Sequence, residues 1–230
     1  MKICTISDIH GSDLWKEIVR REKDKVDKFI FLGDYMDSRD MDIAPREQLE
    51  NLQEIIDYKD DYDIDLLIGN HDLQYIGGAR SKDYNPALSS IFGDTLFSLI
   101  RQQIITATAL YGNCLFSHGG VSSVWMKERG IQEILEINLK FITNPLLVDF
   151  VSKPNVDGSG DNVYQSPTWI RPDSLFESAI NGYHQIVGHT RVAEIGIENN
   201  GDCKLIFTDT GLKQYLVIDT EAETEQIIDL

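Results

Sequence analysis

Five times along this 230-residue chain a short apolar run gives way at once to glycine beside aspartate, asparagine or histidine. Ile3 to Ile6 leads to Asp8-Ile9-His10-Gly11, and Phe29 to Leu32 leads to Gly33-Asp34-Tyr35-Met36-Asp37. Ile64 to Ile68 leads to Gly69-Asn70-His71-Asp72, and Cys114 to Phe116 leads to Ser117-His118-Gly119-Gly120. Gln185 to Val187 leads to Gly188-His189-Thr190. Apolar runs this short read as buried strands. Ligands in open α/β folds bind in loops at the carboxyl ends of strands, so the same repetition predicts both the fold and the site.

The intervening segments support a layered α/β domain. Leu14, Ile18 and Val19 share one helical face, with Ser12 or Asp13 as the cap. Pro45 opens a second helix that carries Leu49, Leu52, Ile55 and Ile56. Strand, helix, strand, helix, strand is the βαβ pattern. Ile104 to Leu110 reads as one further strand, and residues 86 to 103 and 122 to 142 as helical regions. Lys153 to Gln165, with Gly158, Ser159 and Gly160, reads as a long loop. Beyond His189 short strands are expected near Ile195 to Glu198, Leu205 to Thr208 and Tyr215 to Ile218, with Asn199-Asn200-Gly201-Asp202 as a hairpin turn. No repeat or linker interrupts the pattern, so residues 1–230 are expected to form a single domain.

Composition narrows the function classes. With 21 basic and 38 acidic residues the net charge is −17, which disfavours a long nucleic acid as partner. A local cluster of metal cations would still attract an anionic substrate. No run of apolar residues is long enough to span a membrane. The opening Met1-Lys2-Ile3-Cys4-Thr5-Ile6 is too short for a signal peptide and reads as a strand. Cys4, Cys114 and Cys203 are odd in number and far apart, which fits reduced thiols and a cytoplasmic location.

The polar clusters carry the chemistry. Asp8 and His10 stand two apart at a strand end, and extended residues at that spacing point to one side. A carboxylate has two oxygens, so Asp34 can bridge two cations; Asn70, His118 and His189 can complete the ligand set of the second metal. Imidazole, carboxylate and amide donors suit first-row divalent metals. Two such ions roughly 3.5–4 Å apart clamp a phosphoryl group and activate water. The glycines flanking these residues allow positive φ and close backbone approach.

Taken together these blocks resemble the calcineurin-like metallophosphoesterase superfamily, whose pattern is D-x-H, G-D-x-x-D, G-N-H-[DE], a later H and G-H-x. Within it they are most similar to the phosphoprotein phosphatases of bacteria and phages. The resemblance implies a four-layer α/β/β/α sandwich of two mixed β-sheets flanked by helices, with the metal site at the carboxyl ends of the strands. It implies two divalent metal ions, one held by Asp8, His10 and Asp34, the other by Asp34, Asn70, His118 and His189. Manganese is the metal such relatives suggest, with iron, zinc, nickel and magnesium open. His71 is implied as the general acid and Asp37 as its partner. The implied reaction is hydrolysis of a phosphate monoester by attack of metal-bound hydroxide on phosphorus, as in a Ser/Thr-type protein phosphatase.

Departures from the pattern leave the substrate open. Relatives carry Arg directly after the second aspartate of the second block, whereas here Ser38 and then Arg39 follow Asp37. Arg171, in Thr168-Trp169-Ile170-Arg171-Pro172, resembles a phosphate-binding arginine of bacterial members, so Arg171 and Arg39 are both expected as substrate-binding residues. A helical insert at about 121–183 is expected to shape the substrate groove. Rival readings are a dinucleoside polyphosphate hydrolase, a phosphatase or phosphodiesterase acting on RNA or nucleotide ends, and a non-catalytic metal-binding scaffold. His184 lies outside every block and is expected to be structural, as is Asp209. The oligomeric state is not legible.

Overall fold

In a computed structural model that describes residues 1–153 and 160–230, the apolar runs become two mixed sheets packed face to face. The first sheet has the order β11-β10-β1-β2-β3-β4, from Thr224–Asp229, Gln214–Asp219, Lys2–Ile6, Lys28–Phe31, Ile64–Leu67 and Ile105–Thr106. β1 to β4 run parallel, whereas β10 and β11 are antiparallel. The second sheet has the order β5-β6-β7-β9-β8, from Thr108–Tyr111, Cys114–Ser117, His184–Val187, Cys203–Phe207 and Gly196–Asn200. In it β6, β7 and β9 are parallel and the two edges antiparallel.

Side-chain alternation on each strand builds the layers. On β1, Cys4 and Ile6 face a large helical core, while Ile3 faces the second sheet. The layer between the sheets holds Ile3, Ile30, Leu32, Leu67, Phe116, Ile186, Ile206 and Leu216. The helical core gathers α1 (Trp15–Glu22), α2 (Pro45–Asp57), α4 (Pro86–Arg101) and α6 (Ile134–Thr143). Its largest buried members include Trp15, Trp125, Phe92 and Phe141. Burying a side chain of this kind stabilises by about 1.5–3 kcal/mol relative to exposure. On the far face of the second sheet Val187, Leu205 and Phe207 pack against Leu175 of α7 (Pro172–Ser178) and Ile170 just before it. Two short helices, α3 (Asn70–Leu73) and α5 (Ser123–Glu128), complete the α-helices among the described residues. The result is the expected α/β fold of two mixed sheets flanked by helices.

Several local expectations need correction. Ile104 to Leu110 is not one strand: β4 pairs with β3 in the first sheet and β5 with β6 in the second. The bend at Ala107 is held by Asn138 of α6, whose Oδ1 accepts the N–H groups of Ala107 and Thr108, each at 3.0 Å. The helical region from 122 to 142 is two helices, parted by Gly130 at φ +60°. Neither Ser12 nor Asp13 caps α1, because the cap position falls on Leu14. β11 was not expected from the sequence. Of the Lys153–Gln165 loop, residues 154–159, including Gly158 and Ser159, lie outside the described residues. No helix among the described residues is long and apolar enough to cross a membrane.

Candidate active site

The loops following β1, β2 and β3 of one sheet and β6 and β7 of the other meet at one point. The six side chains expected to hold metal lie there together. Asp34 occupies the centre, 2% exposed, with its Oδ2 3.4 Å from His118 Nε2 and 3.7 Å from His10 Nε2. Its Oδ1 accepts the His71 N–H at 2.9 Å. Asn70 Oδ1 stands 2.9 Å from both His118 Nε2 and His189 Nδ1. Both oxygens of Asp8 accept the backbone N–H of His189, at 3.1 and 3.2 Å. Asp8, Asp34 and His118 each bring one donor atom to within 4.8 Å of the others.

The donor chemistry fits cations. His118 Nδ1 is 2.7 Å from the Leu32 carbonyl and His10 Nδ1 is 2.9 Å from that of Met36, so each Nδ1 carries the proton. In the neutral ring Nε2 then presents a lone pair, and both Nε2 atoms point at the Asp34 carboxylate. Fixing the far nitrogen of a ligand histidine on a carbonyl is the usual way to orient it. Burial keeps His118 below its ordinary pKa despite the charge of Asp34, and burial and then His118 push His189 well below. The Nε2 of His189 is buried without a partner. Burial, followed by the charges of Asp209 and Asp34, pushes Asp8 well above the usual carboxylate range. Imidazole lone pairs and buried carboxyl groups gathered this closely are stabilised in their charged form by positive charge.

Backbone conformation, not strand alternation, makes this convergence. Asp8, His10, Asp34, Asp37 and His189 all adopt positive φ, at 52°, 45°, 56°, 64° and 63°. They are five of the eight non-glycine residues that do so among the described residues. Asp8 and His10 therefore do not meet as extended neighbours: left-handed turns aim them, tied down where His10 N–H donates to Asp34 O at 2.7 Å. Such conformations cost about 1–3 kcal/mol each and persist where the surroundings over-determine them. Two glycines admit the carboxylates: a Cβ on Gly69 would stand 2.1 Å from Asp34 Oδ1, and one on Gly188 2.2 Å from Asp8 Oδ2.

His71 and Asp37 form a separate pair beside this cluster. The Asp37 Oδ2 to His71 Nδ1 distance is 2.8 Å. Asp37 also accepts from Gln74 Nε2 and the Tyr75 hydroxyl, which leaves its carboxylate fully engaged. Burial opposes a charge on His71, but Asp34 and the hydrogen bond and charge of Asp37 outweigh it and raise the ring to about 9. Beneath both groups lies Asp72, 0% exposed. Its Oδ2 accepts the N–H groups of Gly69 and Asp34, and its Oδ1 that of Tyr35, each at 2.9 Å. It stitches the loop after β2 to the loop after β3.

A cavity of about 460 Å³ opens over these residues. Five of the chain's 21 basic residues line it: Arg39, Arg80, Lys82, Arg171 and Arg191. Arg171 Nη1 is 3.5 Å from Thr190 Oγ1, and the Arg171 N–H donates to Asp161 at 3.1 Å. Arg39 reaches the rim but is 63% exposed and pairs with Asp83 at 3.3 Å. Arg191, not singled out in the sequence, pairs with Asp209 at 2.9 Å. Its position directly after the last block was the available signal. Arg80 and Lys82 follow the third block by several residues and carried no signal of their own. His184 stands away from the cavity, its Nδ1 accepting the Lys204 N–H at 3.0 Å.

A family model for calcineurin-like phosphoesterases matches residues 1–209 of the chain. No curated protein matched. Among solved structures, a cold-active protein-tyrosine phosphatase of a psychrophilic Shewanella superposes with a TM-score of 0.65. The alignment has 17% identity over 99% of this chain and 80% of that one. A putative diadenosine tetraphosphatase gives a TM-score of 0.53 with 11% identity, over 99% and 93% of the respective chains.

Proposed function

The chain belongs to the calcineurin-like phosphoesterase family, a family of dinuclear-metal enzymes, and on that premise we propose that it is a phosphomonoesterase of the protein-phosphatase type. Asp8, His10 and Asp34 would hold one divalent cation, and Asp34, Asn70, His118 and His189 the other. Manganese is the first candidate, since the mixed imidazole, carboxylate and amide set suits first-row divalent ions. Bound there, the cations would polarise phosphoryl oxygens and lower the pKa of water.

The chain's own groups do the rest. The observation that carries the reading is the His71–Asp37 pair set beside a convergent donor cluster. Asp37 fixes Nδ1 of the ring, so Nε2 is the atom left to carry a proton to the leaving oxygen. The hydrogen bond and charge of Asp37 favour the protonated ring. Arg171 binds non-bridging phosphoryl oxygens, and Arg39 assists from the rim. Trp169, its ring 5.9 Å from that of His189, walls one side and excludes water. The segment at about 121–183, which supplies Trp169 and Arg171, shapes the groove.

The test is turnover of the manganese-loaded protein on p-nitrophenyl phosphate, a phosphothreonine peptide and diadenosine tetraphosphate in parallel. The reading expects both monoesters to be hydrolysed faster than the dinucleotide. His71→Ala should lower kcat by about 10²–10⁴-fold on the peptide, whose alkoxide leaving group needs a proton, and less on p-nitrophenyl phosphate. Dominant turnover of the dinucleotide would move the protein to nucleotide processing, and an unchanged kcat in His71→Ala would remove the acid from His71.

A further inference from the structure

We infer that Arg80 and Lys82 form a second anion-binding subsite, which receives a negatively charged carboxylate or phosphoryl group on the leaving-group side of the substrate. The inference rests on the proposed role of His71 as proton donor, because the side from which the leaving oxygen is protonated is the side on which the leaving group lies.

The segment that carries both cations is fastened to that histidine. Ser81, between them, places its Oγ 3.4 Å from His71 Nδ1. The Ser81 N–H donates at 2.9 Å to Gln74 Oε1, and the same Gln74 donates to Asp37. The segment is pinned on either side as well. Asp149 accepts the Ala79 N–H at 2.9 and 3.1 Å, and the Tyr75 hydroxyl accepts that of Asn85 at 3.1 Å. Arg80 lies 4.4 Å over the ring of Tyr84, which restricts its rotamers.

Charge completes the case. Acidic residues outnumber basic ones 38 to 21, so a carboxylate partner is easily come by on this surface. Yet among the described residues Arg80 and Lys82 have no ion pair, whereas Asp83 beside them is taken by Arg39. Both line the cavity. Exposed cations held on a pinned segment, facing a pocket and, among the described residues, without an ion-pair partner, are arranged for an anion that arrives from solution. Arg171 and Arg191 reach the cavity from other loops, near Thr190 and Asp209, so Arg80 and Lys82 are a separate pair.

The experiment uses the full chain loaded with manganese and three probes of similar leaving-group basicity: phenyl phosphate, 4-carboxyphenyl phosphate and the bisphosphate of hydroquinone. The wild type is expected to prefer both anionic probes through KM. In the Arg80→Gln/Lys82→Gln double variant that preference, taken as the ratio of kcat/KM values, should fall at least about tenfold, with bound metal unchanged. Arg80→Lys should restore part of it. The stronger preference, carboxylate or phosphoryl, identifies whether an acidic side chain or a phosphate chain is the natural source. An equal effect of the double variant on all three probes, or no preference in the wild type, overturns the subsite and leaves the phosphatase reading standing. If the wild type turns over none of the three, the phosphatase reading fails and the subsite falls with it.

Discussion

Asp72 offers the sharpest test of how the site is held, because its carboxylate touches no expected ligand side chain and works only through backbone. Replacement by Asn keeps one carbonyl oxygen and turns the other into an amide. With the oxygen at the Oδ2 position, the bonds from Gly69 and Asp34 survive and the amide opposes the N–H of Tyr35, donor against donor. One unmade bond to a buried N–H costs about 1–3 kcal/mol. For a chain of this size about 2 kcal/mol is a loss of roughly 4–8 °C in Tm. Asp72→Ala removes the acceptor for all three donors and should cost on the order of 3–5 kcal/mol, short of the simple sum because water can enter the void. The assay is thermal unfolding without added metal, followed by titration with Mn²⁺. Both variants should bind metal more weakly than the wild type: Asp72→Ala because Asp34 and Gly69 lose their common anchor, and Asp72→Asn, more mildly, because the opposed Tyr35 N–H displaces the loop that carries Asp34. A Tm for Asp72→Asn within about 1 °C of wild type, with metal affinity unchanged, would refute the account of Asp72 as the stitch between the two loops.

Three further outcomes are expected. Asp34→Ala should lose both metals together, measured by elemental analysis after gel filtration; retention of two ions with turnover would end its bridging role. Arg171→Ala should raise KM for monoesters by about tenfold or more with metal content unchanged, and a fall in metal content instead would show that the side chain supports the ligands. Cys4, Cys114 and Cys203 are buried and free, and burial pushes the Cys114 thiol up to about 11. Native protein should therefore react slowly with a disulfide reagent at pH 8 and quickly once unfolded; fast native labelling would contradict the packing around these thiols.

The site was more legible than the fold's edges, and for physical reasons. Each ligand candidate directly follows a buried strand, and strand length and polarity change are local signals that survive in sequence. The reason given for Asp8 and His10 was nevertheless wrong, since positive φ at non-glycine residues leaves no compositional trace. β11 escaped because Thr224–Asp229 is an edge strand whose residues are largely exposed, so it lacks an apolar run. The two strands within Ile104 to Leu110 looked like one because the bend is imposed by Asn138, some thirty residues away. Arg80 and Lys82 could not be recognised for the same reason: what gives them meaning is a cavity assembled from distant segments.

The proposed donors come from both sheets, and this has a mechanical consequence. Asp8, Asp34 and Asn70 ride on the first sheet, His118 and His189 on the second, so the gap between donors is set by how far apart the two slabs stand. The spacer is the apolar layer of Ile3, Leu32, Phe116, Ile186 and Ile206. A slip of a few tenths of an ångström between slabs would open or close the donor cage with no ligand altered. The site is in that sense a gauge of its own foundation: trimming Ile186 to Ala should register as weakened metal binding at a distance from every ligand side chain.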